Sequence, residues 1–388
     1  MAWYVPFNKL SQQQIEVINA VERDPKRAHW LQGFAGSGKT VVMTNILERA
    51  AAASPQASLA FITYTHALKQ MVGTGFAGAA RDRVVIQTHT QFLKDKKRYD
   101  HVFLDEVQDI SAADLQKIKE LAGSLRIAGD PDQKIFAHGA SAKDIQGKTD
   151  ALIWKLPEVF RLTARLCKLA VSIFPSSRVV EGEVRNTNAN PTIKLLSFLS
   201  ATAESHWTYN EAKTRAKPGA PSVILFPKHD AIYDFAKDVA LKAGIGCPPR
   251  ARKLHGKYNY EEFNDFFESA DFKLEYFGND NGNLVESDAE VKIYLMTYYS
   301  AKGLDFKNVF IPGLNRGYRL VRELALKDDP ELEDRLLYVA VTRSRENLFL
   351  CYNAGAPHAL LSKVPAEIVT EVNPLPPAAS TDDEEEFF

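Results

Sequence analysis

The sequence predicts an α/β fold made of two units, each a parallel sheet covered by helices on both faces. Three observations predict it. Short apolar runs alternate with helical patterns, the alternation occurs in two separate series, and 388 residues exceed one ordinary domain. The first series holds strands at 28–33, 58–64, 83–89, 101–106 and 124–129, with helices over 40–53 and 112–122. The second holds a strand at 221–227, a helix near 231–243, strands at 291–297 and 308–313, a helix over 332–342 and a strand at 347–352. These runs are continuously apolar, as strands buried on both faces must be. The expected division is 1–150 for the first unit and 151–374 for the second, with a small insertion at about 246–290. Residues 375–388 are expected to be a disordered acidic tail.

Two stretches break the pattern. Residues 179–220 are polar and rich in Asn, Thr, Ser and Pro, and read as irregular. Residues 257–287 carry Tyr258, Tyr260, Phe263, Phe266, Phe267, Phe272, Tyr276 and Phe277. Such aromatics could form a stacking platform for bases, but periodic aromatics more often pack, so the core of a small appended module is the expectation. The run Asn279-Asp280-Asn281-Gly282 reads as a turn rather than a calcium loop, because no Glu stands at the twelfth position.

Composition excludes several classes. A 45% hydrophobic and 25% charged chain is that of a globular protein, and no run of about 18 apolar residues offers a membrane span. The cysteines Cys167, Cys247 and Cys351 are far apart and form no CxxC pair, which argues against a disulfide or zinc framework and for a reducing, cytoplasmic setting. The N-terminal residues lack the charged and apolar regions of a signal peptide. The net charge is −1, but Asp382, Asp383, Glu384, Glu385 and Glu386 account for −5, so the rest of the chain carries +4. No global basic excess marks a nucleic-acid binder; a groove needs only local charge.

The chemistry begins at Gly33-Phe34-Ala35-Gly36-Ser37-Gly38-Lys39-Thr40, which matches GxxxxGK[ST] between a strand and a helix. Glycines at 33, 36 and 38 let the backbone wrap a phosphate, and the amides around Ser37 and the helix N-terminus add positive potential. Lys39 is placed for the β- and γ-phosphates of a nucleotide and the Thr40 hydroxyl for Mg²⁺. Such a loop needs a carboxylate on a neighbouring strand to hold the metal, and Asp105, ending the apolar run His101–Leu104, supplies it. Glu106, one residue on, can take a proton from an attacking water.

The run Asp105-Glu106-Val107-Gln108-Asp109, followed by Gly129-Asp130-Pro131-Asp132-Gln133, resembles the DExQD and GDxDQ motifs of superfamily 1 helicases of the UvrD/Rep (PcrA-like) type. Further matches follow in chain order: Leu10–Gln14, Thr63–His66, Gln87–Thr90, Phe160-Arg161, Tyr299–Phe306 and Leu337–Arg345. The ordered set runs from residue 10 to residue 345 and is far more specific than any one match.

The resemblance implies two RecA-like domains with ATP and Mg²⁺ in the cleft between them. It implies that Gln14 reads adenine, Phe160 stacks on it, and Gln133 senses the γ-phosphate. Arg161 and Arg343 act as arginine fingers. Gly303 and Asp305 belong to the ATP site, Asp305 standing where the family has a ribose-binding Glu. Arg345 is a secondary candidate that reads more readily as a surface or helix-terminal charge. Thr63, Tyr64, His66, Thr88, His89 and Thr297 match positions lining a single-strand groove. His138 replaces a stacking Trp that relatives carry.

The resemblance further implies an ATP-dependent translocase or helicase, 3′ to 5′ on single-stranded DNA rather than RNA, in a short form without the large inserted arms. It acts as a monomer in a bacterial or phage setting. An ATP-gated clamp that works through partner proteins is the alternative. The acidic tail ends in Phe387-Phe388 and resembles the tips of single-strand-binding proteins, so it is expected to dock a replication or repair protein, to fold back onto the chain's own basic groove, or to remain a solvated end.

Overall fold

Every position of Leu59–Thr63, Ser222–Phe226 and Ile293–Thr297 is buried, so these strands lie inside sheets rather than at their rims. The computed structural model describes residues 4–76, 78–187, 191–254, 256–353 and 355–374. The expected acidic tail lies outside the described residues.

The first sheet has six strands in the order Val84–Thr88, Leu59–Thr63, Tyr99–Leu104, Ala122–Gly129, His29–Gly33 and Leu152–Leu156. All its neighbours pair in parallel. The period of two along each strand separates two cores. Leu31, Phe61, Phe103 and Ala128 face inward to the largest cluster, whereas Trp30, Ala60, Ile62, Val102, Leu104 and Ile127 face the outer helices.

The second sheet has seven strands in the order Leu274–Tyr276, Ile293–Thr297, Ser222–Phe226, Phe306–Ile311, Ser344–Tyr352, Thr192–Ser197 and Thr370–Val372, again all parallel. Its inner residues, among them Val223, Tyr294, Val309 and Leu348, join the same largest cluster as the first sheet. One apolar core therefore runs across the seam between the sheets.

Three expectations change. The last strand of the first sheet, Leu152–Leu156, lies beyond residue 150 and pairs with His29–Gly33, so the seam falls later than composition suggested. The stretch 179–220 is regular: it holds the strand Thr192–Ser197 and the helix Ala201–Arg215. That helix escaped notice because its buried face includes Glu204, Ser205 and Thr208. Glu204 is satisfied by the amide of Gly313 at 2.8 Å and by Asn353, so the polar face carries no penalty for burial.

The aromatic stretch packs, as the blander reading held. Tyr260, Phe263, Phe267 and Tyr276 are buried against Phe226, Phe235 and Phe310. It is not a separate module, because Leu274–Tyr276 joins the sheet as an edge strand. Asn279 and Asp280 take positive φ angles of 49° and 68° in a tight turn closed by a Gly278–Asn281 bridge, the conformation that Asn and Asp tolerate best.

Candidate nucleotide cleft and nucleic-acid groove

The helix Lys39–Ala53 starts directly after the glycine loop, with Gly36 and Gly38 at φ angles of 77° and 81°. A side chain at Gly36 would also collide with Arg161, whose Cβ lies 2.5 Å from the position a Cβ would take. The loop is held there because Phe160 donates its amide to Gly36 at 2.9 Å. The Gly33 and Phe34 carbonyls accept from the buried Lys39 ammonium at 2.8 and 3.0 Å. Burial lowers the Lys39 pKa, against the pull of Asp130, Glu106 and Asp105. Gln14 completes a capping box with Ser11 and donates to the Ser37 carbonyl at 3.3 Å. One end of its amide thus caps its own helix while the other braces the loop.

The Thr40 hydroxyl donates to Asp105 at 2.6 Å. Asp105 stands not on the neighbouring strand but two strands away, since Ala122–Gly129, which ends at Asp130, lies between. Burial and the adjacent Glu106 push the Asp105 carboxyl up. A hydroxyl and a carboxylate in contact are the hard oxygen donors Mg²⁺ takes, with phosphate and water completing its shell. Among the described residues no group of three or more His, Cys, Asp or Glu could hold a metal.

Glu106 takes a left-handed φ of 55°, a conformation that costs a non-glycine residue on the order of 1–2 kcal/mol. Its carboxylate accepts from Gln108. Burial alone would raise its pKa, but Lys302, Lys39 and Arg343 together hold it below the usual range. Asp109, by contrast, is pushed by burial up to about 6. Lys302 comes from the second sheet, is fully buried, and donates to Asp109 and to the Gln133 carbonyl.

The two arginines expected at the cleft both reach it. Arg343 is buried and satisfied: it donates to Val339 O at 2.9 Å, Leu304 O at 3.0 Å and Gln133 Oε1 at 3.0 Å. Burial, then the positive Arg161, push its pKa down to about 9. Gln133 in turn donates to Asp130 at 2.8 Å. Arg161 pairs with Asp305 at 3.5 Å, and Arg345 pairs with the same carboxylate. Arg345 is therefore no mere surface charge; only the folded chain brings it to Asp305. Gly303, at φ 83°, lets this segment approach Leu68. Lys39, Glu106, Gln133, Arg161, Asp305 and Arg343 are among the residues that line a cavity of about 430 Å³, with Phe160 at its edge.

A second cavity, of about 690 Å³, opens between the two sheets and is lined by Tyr64, His66, Thr88 and Thr297. Tyr64 stacks on His89 with ring centroids 4.9 Å apart and meets Phe136 at 4.5 Å. His138 lies 5.6 Å from Phe136 and within 3.2 Å of the Tyr64 hydroxyl. Phe136 also meets Tyr299 at 5.4 Å across the seam. Thr63 does not face this groove: it is fully buried and donates to the Thr65 carbonyl at 3.1 Å. Strand alternation turns it inward, one residue before Tyr64. Sequence reasoning missed Phe136 and Tyr299, although both flank matched motifs. It also missed the lysines Lys228, Lys253 and Lys257, which line the same cavity from the second unit.

Two parallel sheets with a phosphate loop at the seam, and arginines reaching it from beyond the first sheet, define a P-loop protein of tandem RecA-like architecture. The comparisons narrow the class. Residues 256–355 match the UvrD-like helicase C-terminal domain, and residues 9–180 match an AAA domain. Over 130 residues the chain is 32% identical to a probable DNA helicase II homolog of Mycoplasma capricolum, covering 29% of this chain and 18% of that protein. It is 44% identical over 61 residues to the ATP-dependent DNA helicase Rep of Buchnera aphidicola, covering 16% and 9%. It is 40% identical over 70 residues to the ATP-dependent DNA helicase PcrA of Staphylococcus aureus, covering 17% and 10%. The matched stretches thus span less than a fifth of these relatives' lengths. A solved arterivirus nonstructural protein 10 (helicase) in complex with DNA aligns at TM-score 0.43 and 14% identity, covering 91% of this chain and 65% of that one. The second unit thus matches the UvrD-like helicase C-terminal domain, and shorter stretches of the chain are similar to UvrD/Rep-type superfamily 1 helicases. Among the described residues no helix is long and apolar enough to cross a membrane.

Proposed function

We propose that the chain is an ATP-driven motor that moves along single-stranded DNA, 3′ to 5′. One observation carries the reading: the nucleotide cleft and the groove share one seam, joined by two short segments. In the first sheet's unit Gln133 faces the cleft and Phe136, three residues on, faces the groove. In the second, Tyr299 meets Phe136 and Lys302, three residues on, holds Gln133 and Asp109. A change in how the sheets close on a nucleotide must therefore move the walls of the groove.

Hydrolysis follows from the cleft. The oxygen of a water bonds to the γ-phosphorus, the bond to the bridging oxygen of ADP breaks, and the water's proton passes to the Glu106 carboxylate. The positive neighbours that keep Glu106 ionised keep it able to accept that proton. Lys39, Arg161 and Arg343 offset charge gathering on the phosphoryl oxygens, and Gln133 positions the water. Mg²⁺ held by Thr40 and Asp105 would supply charge compensation at the β- and γ-phosphates.

In the groove, Tyr64, Phe136 and Tyr299 offer ring faces to bases and the lysines that line the same cavity suit phosphates. We further read the chain as the two-domain engine alone, acting as a monomer, strong in translocation and weak in opening long duplexes. The test is ATP turnover with and without single-stranded DNA, together with displacement of a protein block from a 5′ or a 3′ DNA end. Stimulated turnover with displacement at the 5′ end is expected. ATP-dependent binding without displacement at either end would make the protein a clamp.

A further inference from the structure

Asp305 stands where the family resemblance expects a sugar-binding carboxylate, yet each of its oxygens already faces an arginine. Oδ2 faces Arg161 Nη1 at 3.5 Å, and Oδ1 accepts from Arg345. Neither arginine has an equivalent carboxylate partner elsewhere among the ion pairs of the described residues. Arg343 makes no hydrogen bond to Asp305; its guanidinium donates to Val339, Leu304, Thr342 and Gln133 instead.

Three guanidinium groups thus converge on one cleft. Like charges gathered in a partly buried site repel strongly unless an anion sits among them. Asp305 is that anion: Arg345 first, then Arg161, hold its carboxyl below the usual range despite burial. Its side chain is also one carbon–carbon bond, about 1.5 Å, shorter than a glutamate. Turning it toward a sugar hydroxyl would exchange a charged pair for a neutral partner and leave Arg345 uncompensated.

We propose that Asp305 is a positioning residue that anchors Arg161 and Arg345 rather than a reader of the nucleotide sugar. The cleft then accepts ribo- and deoxyribonucleoside triphosphates alike. The proposal rests on the reading of this cleft as the ATP site.

The test uses the full chain with ATP, 2′-deoxy-ATP and 3′-deoxy-ATP, measuring affinity by titration calorimetry and turnover by phosphate release. The three should agree within about threefold in both. A sugar bond to a carboxylate would instead cost the deoxy forms about tenfold or more in affinity. Asp305→Asn should lower kcat about tenfold or more for all three nucleotides alike, because Arg161 loses its anchor, while their relative affinities stay together. If 3′-deoxy-ATP or 2′-deoxy-ATP binds about tenfold more weakly than ATP, and Asp305→Asn abolishes that gap, Asp305 reads the sugar and the proposal fails. Should the Asn variant not fold, Asp305→Glu decides: a sugar preference appearing only with the longer side chain supports the anchor, and an unchanged strong preference overturns it. Binding of none of the three would overturn the nucleotide reading itself, and this proposal with it.

Discussion

The cleft and the groove occupy the same seam but are built on opposite rules. In the cleft nearly every charge is buried and held: Lys39, Lys302 and Arg343 are all buried and face Asp105, Glu106, Asp109 and Asp130. The groove is an open aromatic surface in which Phe136 meets both Tyr64 and Tyr299 and which lysines also line. The difference teaches where specificity resides. A buried, fully paired charge cluster admits one arrangement, since moving one partner leaves another unpaired at a cost of several kcal/mol. Stacked rings accept any base and tolerate sliding. The proposed motor would use both: a rigid site for chemistry and a permissive one for its track.

The contrast can be broken most sharply at Lys39. Lys39→Ala should reduce ATP turnover by about a thousandfold or more, since it removes the cation on the transferred phosphoryl. Single-stranded DNA binding in the absence of nucleotide, followed by fluorescence anisotropy, should survive. A parallel loss of DNA binding would mean that the two sites do not divide the work.

Glu106→Gln should retain ATP affinity while slowing turnover about 10²–10⁴-fold. Single-turnover phosphate release checks it, and near-normal rates would remove Glu106 from the role of base. Arg343→Ala tests the other side of the seam. Turnover should fall by about 10²–10³-fold with nucleotide affinity changing far less, so kcat and KM measured together separate charge stabilisation from simple binding. Thermal unfolding should be followed alongside, because Arg343 also ties Gln133 to the second sheet.

At the groove the effects should be smaller and graded. Tyr64→Ala should weaken single-stranded DNA binding by about 1–3 kcal/mol, the worth of one stacked base. Lys253→Gln combined with Lys257→Gln should weaken it less at high salt and reduce the slope of log affinity against log salt by about 1.4. A salt slope unchanged by the double substitution would place the DNA backbone elsewhere.

Much of this was legible before any fold was seen. The glycine loop is a local code: Gly36 and Gly38 need φ near 80°, and no other residue takes it cheaply. Glu106 was found by adjacency to Asp105, and the buried strands by their apolar runs. The helix Ala201–Arg215 was not legible, because its buried face is polar and finds its partners at Gly313 and Asn353, about a hundred residues or more away. Arg345 looked like a surface charge for a similar reason, since its partner Asp305 is 40 positions away. Thr63 was misread because its motif position says nothing about which way strand alternation turns it.

By itself, the sequence determined what depends on neighbouring residues: the phosphate loop, the acids at a strand end, the two series of buried strands and the ordered motifs of a helicase family. Only the tertiary structure decided what depends on meeting across the seam. It inserted Ala122–Gly129 between the loop strand and the Asp105 strand, brought Lys302 to Asp109, and gave Asp305 to two arginines. The physical reason is that backbone geometry is set within a few residues. The pairing of buried charges is set by whatever the fold excludes from water together.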